Sequence, residues 1–236
     1  MVLQKGISVE NSEENFRSLY GDDYFQDRNF TDPRRMKSFL LEKTFIQQFI
    51  ETGAICDVGC GTGEFLESIN WQGPRYGMEI SNSAKEIASR FQIDFEKNIL
   101  TEKNFFDVVV LRGVIQHLPS PFEYLMASYD SLKPGGYIVF LMTPNADSLV
   151  YRLWGTLPCL DSLRNFWIPS TRTLSSNLSN IGFKVISSET PYKESPYRSF
   201  LRDHIAFFRK LLKLKSSCDF PFWGNMFQLV AQKPLS

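Results

Sequence analysis

Ala54-Ile-Cys-Asp57-Val-Gly59-Cys-Gly61-Thr-Gly63-Glu-Phe65 is the stretch that decides how this chain is read. A short apolar run closes around an acid, crosses three glycines at alternate positions and enters helix-forming residues. That order predicts a strand, a tight turn and a helix N-terminus. Glycine lacks a Cβ, so the turn can bend sharply and a ligand can approach its backbone. Turns of this kind serve several nucleotide-binding folds, and the glycines alone do not choose among them. Asp57 narrows the choice. A dinucleotide rests its pyrophosphate on the helix N-terminus, where partial positive charge attracts anions. A carboxylate two residues before Gly59 opposes that phosphate and suits a ligand bearing an ammonium group.

The next strand supplies a second acid. Arg75-Tyr-Gly-Met-Glu79-Ile80 ends twenty residues after Gly59, and an acid at the tip of a second strand is placed to accept both ribose hydroxyls. A nucleoside with a cationic tail and no pyrophosphate describes S-adenosylmethionine. At this point the chain resembles the class I S-adenosylmethionine-dependent methyltransferases. The resemblance rests on Asp57 through Gly63, Glu79, Phe106-Asp-Val-Val-Val-Leu111, Gln116-His-Leu118 and Leu132-Lys-Pro-Gly-Gly136, in the family's order, from about Phe39 to Lys233. It implies an α/β, Rossmann-like, seven-stranded and mostly parallel sheet of order 3-2-1-4-5-7-6, with the last strand antiparallel and helices on both faces. It also implies a cofactor set of Asp57, Gly59, Gly61, Gly63, Glu79, Ile80, Asn98, Ile99 and Arg112, with Asn98 the candidate for the adenine amino group.

Composition sets outer limits. The chain has 236 residues, 43% hydrophobic and 22% charged, which fits one α/β domain of ordinary core. Lys plus Arg equals Asp plus Glu at 26 each, so no global basic field draws it to nucleic acid, and none is expected as substrate. Cys56, Cys60, Cys159 and Cys218 show no zinc spacing, and no metal site is expected. The opening residues lack a secretory pattern and no run of 18 apolar residues occurs, so the expectation is a cytoplasmic protein.

Along the chain, residues 1–33 are expected to form a flap with an aromatic cluster that includes Tyr20 and Tyr24. From Pro33 a helical period follows in Met36, Phe39, Leu40, Phe45, Ile46, Phe49 and Ile50. A brief third strand is expected at Ile93–Phe95. Phe106–Leu111 reads as a strand buried on both faces. Arg112 through His117 then fall at the carboxyl edge, where parallel sheets bind ligands. Residues 143–170, with Asn145 and Trp167, are long, aromatic and without strong period, and suggest a substrate lid. Within 196–216, Leu201, Ile205, Phe208 and Leu212 form one helical stripe. Arg202, Arg209, Lys210, Lys213 and Lys215 outweigh Asp203 by four charges. Such a helix, Phe200–Lys215, can lie on an anionic membrane or a partner subunit, and can equally pack on its own domain.

Methyl transfer from a sulfonium needs an acceptor held in line and water kept out. A base is needed when the acceptor is a hydroxyl. His117 is the candidate, because imidazole titrates near neutrality and the other histidine, His204, sits on the basic helix. The alternative is that His117 only fixes its loop. Quinone-directed O-methyltransferases carry Glu-x-x-Glu-His here, whereas this chain has Gly113-Val-Ile-Gln-His117. The Thr143-Pro-Asn145 turn with an aromatic lid is similar to methyltransferases of sugar and surface-polysaccharide biosynthesis, which implies a small-molecule or glycan hydroxyl as acceptor. Two other readings stay beside it: a catalytically silent relative acting through its lid or basic helix, and a nicotinamide-dependent oxidoreductase. Asp57 and the Gly59-x-Gly-x-Gly63 spacing disfavour the latter.

Overall fold

Strand β2 (Ile55–Val58) forms where Ala54–Val58 offers an unbroken buried run, and every residue of it is buried. The computed structural model describes residues 2–3, 32–160, 164–213 and 220–235. Before β2, helix α1 (Pro33–Gln47) starts at Asp32, whose carboxylate accepts from Arg34 N–H at 2.9 Å. Pro33 opens its first turn, where a missing N–H costs nothing. The period read in α1 holds in part: Phe39, Phe45 and Ile46 are buried against the sheet, Met36 and Leu40 are exposed, and Phe49 and Ile50 follow the helix.

After β2 come α2 (Glu64–Ser68), β3 (Arg75–Met78) and α3 (Asn82–Ser89), capped by Ser81 Oγ accepting from Ala84 N–H. β4 (Phe106–Arg112), a 3₁₀ turn at Ile115–His117, α4 (Pro121–Ser131) and β5 (Leu132–Pro144) follow. Beyond them lie α5 (Leu149–Trp154), β6 (Trp167–Ile168), α6 (Thr171–Ile181), β7 (Lys184–Glu189), α7 (Phe200–Leu211) and β8 (Met226–Gln232). Val2–Leu3, β1, pairs antiparallel with β6.

The main sheet runs β3-β2-β4-β5-β8-β7, with β2, β3, β4 and β5 parallel and β8 antiparallel to both of its neighbours. The expected order therefore stands for six strands, and the count of seven does not. The expected third strand is reduced to one bridge, Tyr76 to Asp94, with Asp94 N–H to Arg75 O at 3.0 Å and Gly77 N–H to Asp94 O at 2.9 Å. Chain geometry explains this. Gln92 stands at φ 59 and Asp94 Oδ1 accepts from Glu96 N–H at 2.7 Å, so the backbone turns on both sides of the bridge. The expected Lys133–Gly136 turn is likewise taken into β5, where Leu132 pairs with Phe106 ahead of a register shift.

Two apolar clusters fill the sheet's faces. Cys56, Val109, Leu111, Phe140 and Leu229 look to one side, and Ile55, Val108, Val110, Val139 and Val230 to the other. Each fully buried large side chain contributes about 1.5–3 kcal/mol. This double burial makes the central strands rigid and leaves polar chemistry only at their ends.

Candidate active site

The carboxyl ends of β2, β3 and β4 meet in one cavity. Its volume is about 270 Å³, near the lower end of the roughly 300–1,000 Å³ usual for small-molecule sites. Asp57, Gly59, Gly61, Glu79, Ile80, Arg112 and His117 of the expected set line it. Phe39, Phe65, Val114 and Leu118 supply apolar wall.

The glycine turn is built by close contacts. Gly59 and Cys60 donate to Met78 O at 2.6 and 3.2 Å, which ties the turn to the end of β3. Gly59 has φ 70, and a Cβ there would meet Val114 Cγ2 at 2.5 Å. Gly63 has a different task from the one expected. It lies outside the cavity lining, and a Cβ on it would strike Ile93 Cδ1 at 2.5 Å and Ala88 Cβ at 3.0 Å, so it lets α2 and α3 approach.

Glu79 bridges this turn and β3. Its Oε2 accepts from Gly61 N–H at 2.9 Å, and Oε1 accepts from Ile80 N–H at 2.7 Å and Ser81 N–H at 2.9 Å. An ionised carboxylate has about four lone-pair directions, so one stays open to a ligand. A second ligand hydroxyl would displace one backbone donor.

Asp57 is buried at the cavity floor, and its Oδ1 has no hydrogen-bond partner among the described residues. Burial pushes its carboxyl up to about 8, Arg112 pulls the other way, and Glu79 and Glu42 add to the rise. A buried acid with an open oxygen and acidic neighbours is a receptor for a cation. The residues fit S-adenosylmethionine: Asp57 for its ammonium, Glu79 for a ribose hydroxyl, and apolar walls for the rest.

Arg112 is mostly engaged within the protein. Its Nε and Nη2 donate to Glu42 Oε2 and Oε1 at 2.6 and 3.1 Å, and Ser38 Oγ donates to the same Oε1 at 2.7 Å. Phe39 and Phe65 rings lie 4.6 and 5.7 Å from the guanidinium. This bidentate pair, with Arg35 to Glu64 at 2.8 Å, latches α1 over the cavity.

His117 is fixed at both ring nitrogens. Nδ1 lies 2.7 Å from Arg164 O, which can only accept, so the proton sits on Nδ1. Nε2 is then the acceptor, 3.1 Å from Gln116 Nε2, which also donates to Gly113 O at 2.8 Å. The end of the expected lid packs on this same loop. Phe166 N–H donates to Gln116 O at 2.9 Å, and Trp167 Nε1–H to Pro119 O at 3.1 Å. Trp167 thus stands beside the histidine loop, although it does not line the cavity.

Other expected residues lie elsewhere. Asn98 caps its own turn, with Oδ1 accepting from Leu100 N–H at 2.9 Å, and Ile99 is buried in the core. Asn145 braces the turn after β5, donating to Gly224 O at 3.0 Å and accepting from Asp147 N–H at 3.0 Å. Tyr20 and Tyr24 lie outside the described residues. The segment expected as a lid is more regular than expected: it contains α5, capped by Ser148 Oγ and closed by Gly155 at φ 68. Sequence reading missed Glu42. Glu42 looked like an outward charge on an amphipathic helix, yet it sits three residues after Phe39 and three before Phe45, which was the available signal.

A family model described as a methyltransferase domain matches residues 25–188. Among curated relatives, a ubiquinone biosynthesis O-methyltransferase of Hydrogenovibrio crunogenus is 28% identical, over 58% of this chain and 63% of the relative. The tRNA U34 carboxymethyltransferase of Helicobacter pylori is 28% identical over 64% of each chain. The chain therefore spans somewhat under two thirds of these relatives' length. Solved S-adenosylmethionine-dependent methyltransferases share the fold. One from Thermotoga maritima has a TM-score of 0.57 at 18% identity, over 85% of this chain and 90% of that one. One from Archaeoglobus fulgidus has 0.56 at 21% identity, over 86% and 96%. With an acid at the end of the first parallel strand, a second at the tip of its neighbour, and this match, the chain belongs to the class I S-adenosylmethionine-dependent methyltransferase family.

Proposed function

We propose that the chain transfers a methyl group from S-adenosylmethionine to a hydroxyl of a small-molecule acceptor. The observation that supports this most is the joining of Asp57, Glu79 and His117 in one largely apolar cavity. When bound, the cofactor supplies an electrophilic methyl group. Asp57 holds the ammonium, Glu79 takes a ribose hydroxyl, and Phe39, Phe65 and Leu118 keep water away from the reacting atoms. The acceptor reaches the cavity from the side of the histidine loop, where Trp167 and the rest of the lid end are anchored.

His117 is proposed as the base. Its Nδ1–H is committed to Arg164 O, which leaves Nε2 able to take a proton once the Gln116 amide yields its place. The relatives named above act on a ubiquinone precursor or on tRNA. Balanced overall charge gives no support to a nucleic-acid acceptor. The absence of an acid in Gly113–Gln116 sets the chain apart from metal-assisted quinone chemistry, so a sugar hydroxyl and a phenolic hydroxyl both belong in the acceptor screen.

The test is transfer of labelled methyl to three panels: sugar nucleotides and glycans, catechol-type phenols, and bulk tRNA. Label on a small molecule, with turnover lowered roughly 10²–10⁴-fold in His117→Ala at unchanged S-adenosylhomocysteine affinity, is the expected result. Label on tRNA alone would overturn the acceptor class. Cofactor binding without transfer to any panel would favour a catalytically silent binding protein.

A further inference from the structure

Helix α7 presents two unlike sides. Asp203, Ala206, Phe207 and Lys210 share the inner one. Asp203 is buried and accepts from Tyr192 O–H at 2.9 Å and Ser199 N–H at 3.1 Å. Phe207 meets the Trp223 and Trp154 rings at 4.9 and 5.7 Å, and Lys210 Nζ lies 3.9 Å from the Phe220 ring. This side holds the helix on the domain.

The outer side bears the apolar stripe. Leu201 is 71% exposed, Phe200 68% and Leu212 66%, and Ile205, Phe208 and Leu211 are exposed as well. At 3.6 residues per turn Phe200, Leu201, Ile205, Phe208 and Leu211 fall in one arc that also holds His204, flanked on one side by Arg202 and Arg209, and Leu212 and Lys213 follow the helix's last turn. The one acid between Phe200 and Lys213 is the buried Asp203, so every charge this stretch shows to solvent is positive. No helix among the described residues is long and apolar enough to cross a membrane.

An apolar arc whose solvent-side flank carries only cations matches one kind of surface. Two copies packed face to face would bring their cations together, whereas an anionic bilayer offers acyl chains to the arc and phosphates to the border. We propose that α7 docks this protein in the plane of an anionic lipid bilayer, with Leu201, Ile205, Phe208 and Leu212 inserted and Arg202, Arg209 and Lys213 at headgroup level. The proposal is independent of which acceptor is methylated.

Co-sedimentation of the full chain with vesicles tests it, comparing phosphatidylcholine alone with a phosphatidylcholine–phosphatidylglycerol mixture. The expected result is binding to the mixed vesicles, loss of binding on adding salt, and little binding to the neutral ones. Leu201→Glu with Phe208→Glu should abolish it while circular dichroism and melting temperature stay as in the parent. Lys213→Ser, which changes an exposed side chain, should lower partition about fivefold. Absence of binding to mixed vesicles would overturn the proposal. So would binding that all these variants retain, or a dimer in light scattering that Leu201→Glu dissociates.

Discussion

Helices α1 and α7 show the same written pattern, apolar residues three and four apart with charges between, and they meet opposite surroundings. In α1 Phe39, Phe45 and Ile46 of the stripe lie on the sheet and the acid among them, Glu42, is buried against Arg112 and Ser38. In α7 the acid is also buried, but the stripe faces out, because the helix rests on Trp154 and Trp223 through Phe207 and on Phe220 through Lys210 rather than on a sheet face. Periodicity therefore tells which residues share a side and not which side is covered. What covers it is decided by partners remote in sequence.

The largest way to break this comparison is Glu42→Gln. It leaves the Arg112 guanidinium buried without its counter-charge and should cost about 3–5 kcal/mol of stability, read by urea unfolding. A cost near zero would mean that α1 is not latched by this pair. In α7, Asp203→Ala removes the acceptor of Tyr192 O–H and Ser199 N–H, and should cost about 1–3 kcal/mol in the same assay. Glu79→Ala should weaken S-adenosylhomocysteine binding by a similar roughly 1–3 kcal/mol with little change in unfolding midpoint. Leu201→Glu is the smallest, within about 0.5 kcal/mol, since its side chain gains nothing from the folded domain. A large loss there would mean that the outer side of α7 is covered.

Much of the site was legible from residue order. Asp57, the alternating glycines and Glu79 announced a strand, a turn and a second strand tip, and the three come together as that order requires. The strand order came from the family resemblance, not from any single stretch, and it stands for six strands. The third strand was not legible as a single bridge: Ile93 and Phe95 have the right residue types, but left-handed Gln92 and the Asp94–Glu96 turn cut it short. Gly63 was read with its two neighbours, although the contact that demands a glycine there comes from Ile93 and Ala88. His117 was read either as a base or as a residue that fixes its loop. Its Nδ1 partner, Arg164 O, lies forty-seven residues away, and no local pattern reveals such a contact.

The sign of one pH effect follows from Asp57. In the free protein its carboxyl keeps a proton up to about pH 8. Because the folded state holds that proton more tightly than an unfolded chain does, this group removes stability as pH rises from the ordinary carboxylate range towards 8. An ammonium placed beside Asp57 favours the carboxylate, so binding expels the proton and grows stronger over the same interval.

Calorimetric titration with S-adenosylhomocysteine across that pH range, in buffers of different ionisation enthalpy and with NADH as the control, tests the central claim most directly. The account predicts binding of S-adenosylhomocysteine alone, with affinity rising by up to about tenfold per pH unit below 8 and close to one proton released. Binding that is independent of pH and releases no proton, or preferential binding of NADH, would contradict it.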